Sequence, residues 1–259
     1  MKIAFVGAGN MGGAIVRGLY QSGLCKASDL FVADVYQPNL DAIKSLDSEI
    51  FTTNINSEAV KRAECVVIAV KPWLVDTVIS DIYAALDSSK HTVVSIAAGV
   101  SLGSIAEKLG GSFPLFRVLP NTAISLRESM TFVSSLNASK EQEAEVLNMF
   151  NQLGLAIAVP ENMMGAFTSV SSCGIAYALR FVRAMAQGAV ELGVKPDQAH
   201  EVVAQTMIGA AQLILQNKSN PESEIDKVTT PGGWTIKGLN AMEANGFSNA
   251  VIQGVKANS

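Results

Sequence analysis

Four glycines fall within the seven residues GAGNMGG at 7–13, directly behind the apolar run IAFV at 3–6 and ahead of the helix-forming AIVRGLYQSG. Strand, glycine turn and helix in that order leave few folds open, because each glycine of the G-x-G-x-x-G set has its own steric task. Gly7 allows the tight turn, Gly9 lets the backbone approach a pyrophosphate, and Gly12 lets the helix lie close to the strand. The helix N-terminus then aims free amides and the positive end of its dipole at an anion. A second strand, LFVA at 30–33, runs into Asp34. A carboxylate there, about 20 residues past the glycines, accepts hydrogen bonds from an adenosine ribose and repels a 2′-phosphate. Val35, Tyr36, Gln37 and Pro38 bring no cation to offset that repulsion. The stretch predicts a dinucleotide site for NADH or NADPH, with NADH favoured because of Asp34.

The rest of the first half repeats the alternation. CVVIAV at 65–70, TVVSIA at 92–97 and PLFRVL at 114–119 are nearly continuous in apolar residues, as strands covered on both faces should be. Helical patterns lie between them at about 11–22, 38–46, 56–63, 73–86 and 101–110, the last with Ser101 as its N-cap. TFVSS and AIAVP add edge strands around a helix at 140–153. From Glu161 on the pattern is helical, with one stretch at about 162–192 and another at about 197–217, both apolar on more than one face. The expected fold is α/β: a Rossmann-type doubly wound parallel sheet over 1–160, then an all-α domain of three or four helices over 161–259.

Helices apolar nearly all round need cover on every side, and the chain carries only 16% charged against 49% hydrophobic residues. Both point to a symmetry mate, so a homodimer that can assemble further is expected. A net charge of −4 without a long Lys or Arg run gives nucleic acid nothing to bind. Three cysteines without C-x-x-C spacing and two histidines supply no metal site and fit a reducing cytoplasm. No segment reaches the roughly 18 uncharged apolar residues of a membrane span, and the N-terminus enters a strand at once, so neither membrane nor export is expected.

DKVTTPGGWTIKGLNAMEANGF at 226–247 is the second stretch that composition does not explain. Thr229, Thr230, Pro231, Gly232 and Gly233 lead into a helix near Trp234 or Thr235, so hydroxyls and successive amides converge at a helix N-terminus. That suits a carboxylate, and equally a simple capped helix start. His91 and His200 read as packing or surface residues and Cys173 as a small apolar helix residue. Hydride transfer needs none of them; it requires aligned carbons, a dry pocket and donors that hold the acceptor.

GAGNMG, AVKP at 69–72, VVSIAAGVS, LPNTA at 119–123, SSCGIAY at 171–177 and above all DKVTTPGGWTI together resemble the pyrroline-5-carboxylate reductase family over essentially the whole chain. The resemblance implies reduction of the cyclic imine 1-pyrroline-5-carboxylate to L-proline by NAD(P)H, the last step of proline biosynthesis, in a dimer where one subunit's substrate loop meets its mate's cofactor. It puts cofactor contacts on Gly7, Ala8, Gly9, Asn10, Met11 and Gly12, on Asn56, on Ala69, Val70, Lys71 and Pro72, and on Ser95, Ile96 and Ala97. Substrate contacts fall on Thr229, Thr230, Gly232, Gly233, Trp234 and the acidic Glu161, and Thr235 supplies the hydroxyl that meets the ring nitrogen. The family's usual SGSGPAY is SSCGIAY here, and its usual MPNTP is LPNTA. Rival readings are another two-domain dehydrogenase, of β-hydroxyacid or deazaflavin-linked type, and a non-catalytic NAD(H) sensor; the threonine-rich loop speaks against both.

Overall fold

The computed structural model describes residues 1–257, which form two compact units, Met1–Ser171 and the helical remainder from Ser172. In the first unit the elements follow one another as β1 (Ile3–Val6), α1 (Asn10–Ser22), β2 (Leu30–Ala33), α2 (Gln37–Lys44), β3 (Phe51–Thr53), α3 (Asn56–Val60), β4 (Cys65–Ile68), α4 (Val75–Ile82), β5 (Thr92–Ser95), α5 (Leu102–Leu109), β6 (Leu115–Leu119), β7 (Ser129–Leu136), α6 (Lys140–Asn151), β8 (Gly154–Ala158) and α7 (Met164–Val170). The strands make one sheet in the order β3-β2-β1-β4-β5-β6-β7-β8. Six are parallel because helices carry each crossover; β7 runs antiparallel to β6 across a short 3-10 connection, and α6 then returns the chain to a parallel β8.

β1 lies at the centre, with Ile3 opposite Leu30 on one side and Cys65 on the other. Strand order reverses there, so a crevice opens beyond the ends of β1 and β4, the place where such sheets hold ligands. Two apolar layers enclose the sheet. Ile15, Leu19, Ile43, Met149 and Phe150 pack on one face against Phe5, Val67 and Phe116, and Val60, Val75, Ile79, Ile105 and Leu109 cover the other against Val6, Val66 and Ile68. Alternate residues of each strand therefore serve opposite layers, which is why the strands read as unbroken apolar runs.

Several expectations shift. β3 is only three residues long and was not foreseen, since no periodicity shows over so short a run. The pattern at 73–86 resolves into α4 between 3-10 turns at Pro72–Leu74 and Tyr83–Ala85. The stretch at 162–192 breaks at Ser171, whose Oγ accepts from Asn121 Nδ2 at 3.0 Å and donates to the Met130 carbonyl at 3.4 Å. The piece before the break, α7, packs inside the first unit, with Met164 buried on Leu119 and Phe132 and Phe167 stacked 4.8 Å from Phe132.

Among the described residues the second unit has five helices rather than three or four: α8 (Ser172–Glu191), α9 (Pro196–Asn217), α10 (Pro221–Lys227), α11 (Trp234–Ala244) and α12 (Phe247–Lys256). Its buried apolar residues are Ala186, Ala199 and Val203 among the described residues, while Leu179, Leu192, Val202, Ile208 and Leu215 are exposed. Three small residues cannot offset the ordering of five helices, so the unit requires cover from outside itself. No described helix is long and apolar enough to cross a membrane.

His91, at the start of β5, is buried and its Nδ1 accepts from the Asp87 amide at 2.9 Å, which fixes the proton on Nε2. Burial first, and the charge of Lys90 second, push its pKa below the ordinary 6.5, against the hydrogen bonds and the Asp87 charge that raise it. The unfolded chain takes up this proton near 6.5 while the folded one resists, so His91 removes stability as pH falls below that value and leaves it untouched above. Urea unfolding at pH 7.5 and pH 5.5 should show a larger acid loss in the parent than in His91→Gln; equal losses would exclude the ring as the cause.

Candidate active site

The glycine loop separates into glycines that the protein itself demands and one that it does not. Gly7 has φ +102°, and a Cβ there would lie 2.6 Å from the Ala69 carbonyl oxygen. A Cβ on Gly12 would lie 2.3 Å from the Gly7 oxygen, so α1 can approach β1 and β4 only with hydrogen at that position. A Cβ on Gly9 would meet nothing within 4 Å, so space outside the fold is kept clear there. Gly9 is also the N-cap of α1 and supplies no capping side chain, leaving the amides of Asn10, Met11 and Gly12 open. An unfilled cradle facing uncapped amides fits a dinucleotide's pyrophosphate.

Neighbouring loops are fixed by their own bonds. The Gly7 amide donates to Ala33, the Ala69 amide to Val6 and the Ile96 amide to Ile68, each crossing from one strand end to the next. Ser95 is fully buried and its Oγ accepts from the Ala97 amide at 3.3 Å, so its hydroxyl shapes the turn from inside, with Ala97 also buried and Ile96 half-buried. Lys71 and Pro72 lead into the turn after β4, with Lys71 exposed. Asn56 opens α3 and donates from Nδ2 to Asp81 at 2.8 Å, which leaves its Oδ1 as the free polar atom.

Asp34 sits at the end of β2 as expected, but three protein donors already hold it: the Ala8 amide at 2.6 Å and Asn39 Nδ2 at 3.1 Å on Oδ2, and the Tyr36 amide at 2.8 Å on Oδ1. The Ala8 amide is therefore not open to a phosphate. Glu161 is engaged likewise: Oε1 accepts from the Leu102 amide at 2.8 Å, capping α5, and from Arg117 at 3.1 Å. It also edges an open cavity of about 660 Å³ with Leu102, Ser134, Ser135, Glu143 and Pro160. That cavity shares no residue with the glycine loop; it is a concavity at the sheet edge, away from the crevice that the strand order creates.

In the second unit the segment 229–233 forms a closed turn onto α11. Thr229 Oγ1 donates to Ile225 at 2.7 Å, the Gly233 amide donates to Thr230 at 2.9 Å, and Gly232 takes φ +72°. Gly233 thus spends its amide inside the turn, and Pro231 has none, so an anion here meets the amides of Thr230, Gly232, Trp234 and Thr235 instead of an unbroken row from 230 to 233. Gly233 caps α11 without a side chain, Thr235 lies exposed in the first turn, and Trp234 is 91% exposed.

Composition and spacing did not single out Asn39 or Arg117. The one signal for Arg117 is a lone charge inside the apolar PLFRVL, which requires a counter-charge; Asn39 follows Asp34 by five positions, the reach of a turn. Cys65 is fully buried, which pushes its thiol up to about 12 and leaves it unreactive.

Residues 161–259 match the family described as "Pyrroline-5-carboxylate reductase dimerisation", and residues 2–99 match "NADP oxidoreductase coenzyme F420-dependent". Pyrroline-5-carboxylate reductase 1 of Dictyostelium discoideum is 37% identical over 99% of this chain, which spans 48% of that longer protein's length. The pyrroline-5-carboxylate reductase of Escherichia coli is 36% identical over 97% of this chain and 93% of its own. The chain belongs to the pyrroline-5-carboxylate reductase family. Among solved structures, a pyrroline-5-carboxylate reductase from Coxiella burnetii superposes with TM-score 0.93 at 28% identity, covering 99% of this chain and 95% of that one. The NADP-bound pyrroline carboxylate reductase of Plasmodium falciparum gives 0.87 at 25% identity, covering 100% and 95%. The helical half matches the reductase family's own dimerisation model, and the first half matches a model of a broader group of NADP oxidoreductases.

The steric division of the glycines is testable. Gly9→Ala should unfold within about 0.5 kcal/mol of the parent, as at an open surface position, yet bind dinucleotide more weakly. Gly12→Ala, which must displace backbone, should lose about 1–3 kcal/mol of stability. Urea melts paired with NADH fluorescence titration check both; undiminished binding in Gly9→Ala would show that the clear space serves no ligand.

Proposed function

We propose that this chain reduces 1-pyrroline-5-carboxylate to L-proline with NAD(P)H, with residues 1–160 binding the dinucleotide and 161–259 forming the dimer and holding the imino acid. The observation that carries this reading is the pair of glycine-started helices, α1 and α11, each opening unclosed amides beside a glycine turn, one suited to a pyrophosphate and the other to a small carboxylate. Gly7, Gly9, Asn10, Met11 and Gly12 form the phosphate cradle, Asp34 and Asn56 the adenosine side, and Ala69–Pro72 with Ser95–Ala97 the nicotinamide side. Ala8 belongs to the loop through its bond to Asp34.

The bound nicotinamide supplies a hydride to the imine carbon. On the substrate side, Thr230, Gly232 and Trp234 offer amides to the carboxylate, and Thr229 holds the turn through its bond to Ile225. The Thr235 hydroxyl orients the ring nitrogen, which keeps its proton as the C=N bond becomes single. A protonated imine is already electrophilic, so no strong general acid is required, in keeping with a site built without histidine. Glu161 acts from behind the pocket wall, holding the first turn of α5 and the Arg117 charge.

The exposed apolar helix faces of the second unit support a homodimer, and further association of dimers is compatible with them. The three cysteines are free thiols, which suits the cytoplasm. Asp34 favours NADH by charge, while the NADP bound to the Plasmodium relative is the reason to test both cofactors.

Oxidation of NADH and NADPH measured with 1-pyrroline-5-carboxylate should proceed with both cofactors and favour NADH by about tenfold or more in kcat/KM, the effect of about 1.4 kcal/mol. Preference for NADPH would reverse the role given to Asp34, and no oxidation of either would exclude the reductase reading. Thr235→Ala should lower kcat/KM about 10- to 100-fold, and Thr235→Ser should recover most of it. An unchanged rate in the alanine variant would take the hydroxyl out of the reaction.

A further inference from the structure

Asp34 is held by more of the protein than a ribose anchor alone requires. A carboxylate has about four acceptor positions, and three are filled from within the chain. Oδ2 carries both the Ala8 amide at 2.6 Å and Asn39 Nδ2 at 3.1 Å, so its two positions are taken, while Oδ1 carries the Tyr36 amide at 2.8 Å and keeps one. The side chain cannot turn without breaking a bond to the glycine loop. Asn39 lies half-buried in the first turn of α2, and its second N–H and its Oδ1 have no partner among the described residues.

We propose that Asn39 is a positioning residue for cofactor choice: its carboxamide locks the Asp34 carboxylate so that the one free acceptor faces the adenosine ribose, and the same clamp holds the Ala8 amide and hence the pyrophosphate loop. This rests on the reading of the loop as a nicotinamide dinucleotide site. Selectivity and loop geometry are then properties of one cluster. Taking away the Asp34 charge does not simply admit NADPH, because the Ala8 and Tyr36 amides lose their acceptor together with the ribose. Loosening the carboxylate through Asn39 leaves the negative charge in place, so NADH weakens without any gain for NADPH.

Asn39→Asp separates this role from a structural one. The two side chains share a shape, but aspartate has no N–H to give and sets a second negative charge against Asp34. In the first turn of α2 a negative charge is favourable to the helix, so a residue that merely supported α2 would lose nothing by the change. NADH and NADPH fluorescence titrations, which need no imine, are run beside urea melts for the parent, Asn39→Asp and Asn39→Ala. The expected result is NADH binding weakened about tenfold in Asn39→Asp and less in Asn39→Ala, NADPH binding no tighter in either, and unfolding unchanged within about 1 kcal/mol. NADH affinity within twofold of the parent in both variants, or tighter NADPH in either, overturns the proposal, as does a parent that binds neither cofactor. A parent that binds NADH but does not reduce the imine overturns the assigned reaction and leaves the role of Asn39 standing.

Discussion

The contact on which the rest depends is backbone against backbone at the switch point of the sheet. With Gly12 against the Gly7 carbonyl and Gly7 against the Ala69 carbonyl, α1 starts within contact distance of both central strands, where a side chain on either glycine would overlap a carbonyl oxygen. That closeness sets the direction of the helix axis. Its first amides then open at the crevice beyond β1 and β4, and the cross-strand bonds from Gly7, Ala69 and Ile96 bring four neighbouring strand ends, those of β2, β1, β4 and β5, to one level. Steric exclusion inside the protein thus produces an anion site as a by-product of packing, and Gly9, which packing does not require, is what keeps that site accessible.

Three of the described α-helices have starts closed by their own side chains. Ser101 caps α5, Ser139 and Gln142 form a reciprocal box on α6, and Asn220 caps α10. By contrast α1 and α11 begin on glycines after glycine-bearing turns and satisfy no first-turn amide with a side chain. A glycine start forgoes roughly a few tenths of a kcal/mol relative to a side-chain cap, and an anion at the open amides adds favourable interaction with the helix dipole. This makes the two loops chemically alike although one belongs to a sheet and the other to a helical unit.

The alternation of strands and helices, the glycine turn, Asp34 at the end of β2 and the helix start at Trp234 were legible because each rests on local rules: apolar runs for doubly covered strands, and glycine or proline where a turn forces them. What could not be read depends on partners distant in sequence. Ser171 ends a helix because Asn121 and Met130, 50 and 41 positions earlier, bind its hydroxyl. Nothing local ties Glu161 to Arg117 and the Leu102 amide, 44 and 59 positions away in the chain. In the loop at 229–233 hydrogen bonding inside the turn removes the Gly233 amide from the donors, and a linear sequence does not show which amides a turn consumes.

The two units differ in how they can be stable, and this bears on how such a protein can work. Both faces of the sheet carry continuous layers of large fully buried side chains such as Phe5, Phe116 and Phe150, enough for the first unit to hold its crevice rigid on its own. In the helical unit, by contrast, Ala186, Ala199 and Val203 are the buried apolar residues among those described, with Tyr177 bonded to Gly254 and Phe181 against Phe247 tying α8 to α12. Its large side chains face outward. A unit of that composition is ordered by association, and the turn that opens α11 belongs to it. The geometry of the turn at 229–233 is therefore coupled to assembly, whereas the geometry of the glycine loop at 7–13 is not. Dilution that separates subunits should disturb the second loop first, because the glycine contacts at the switch point remain intact within each chain.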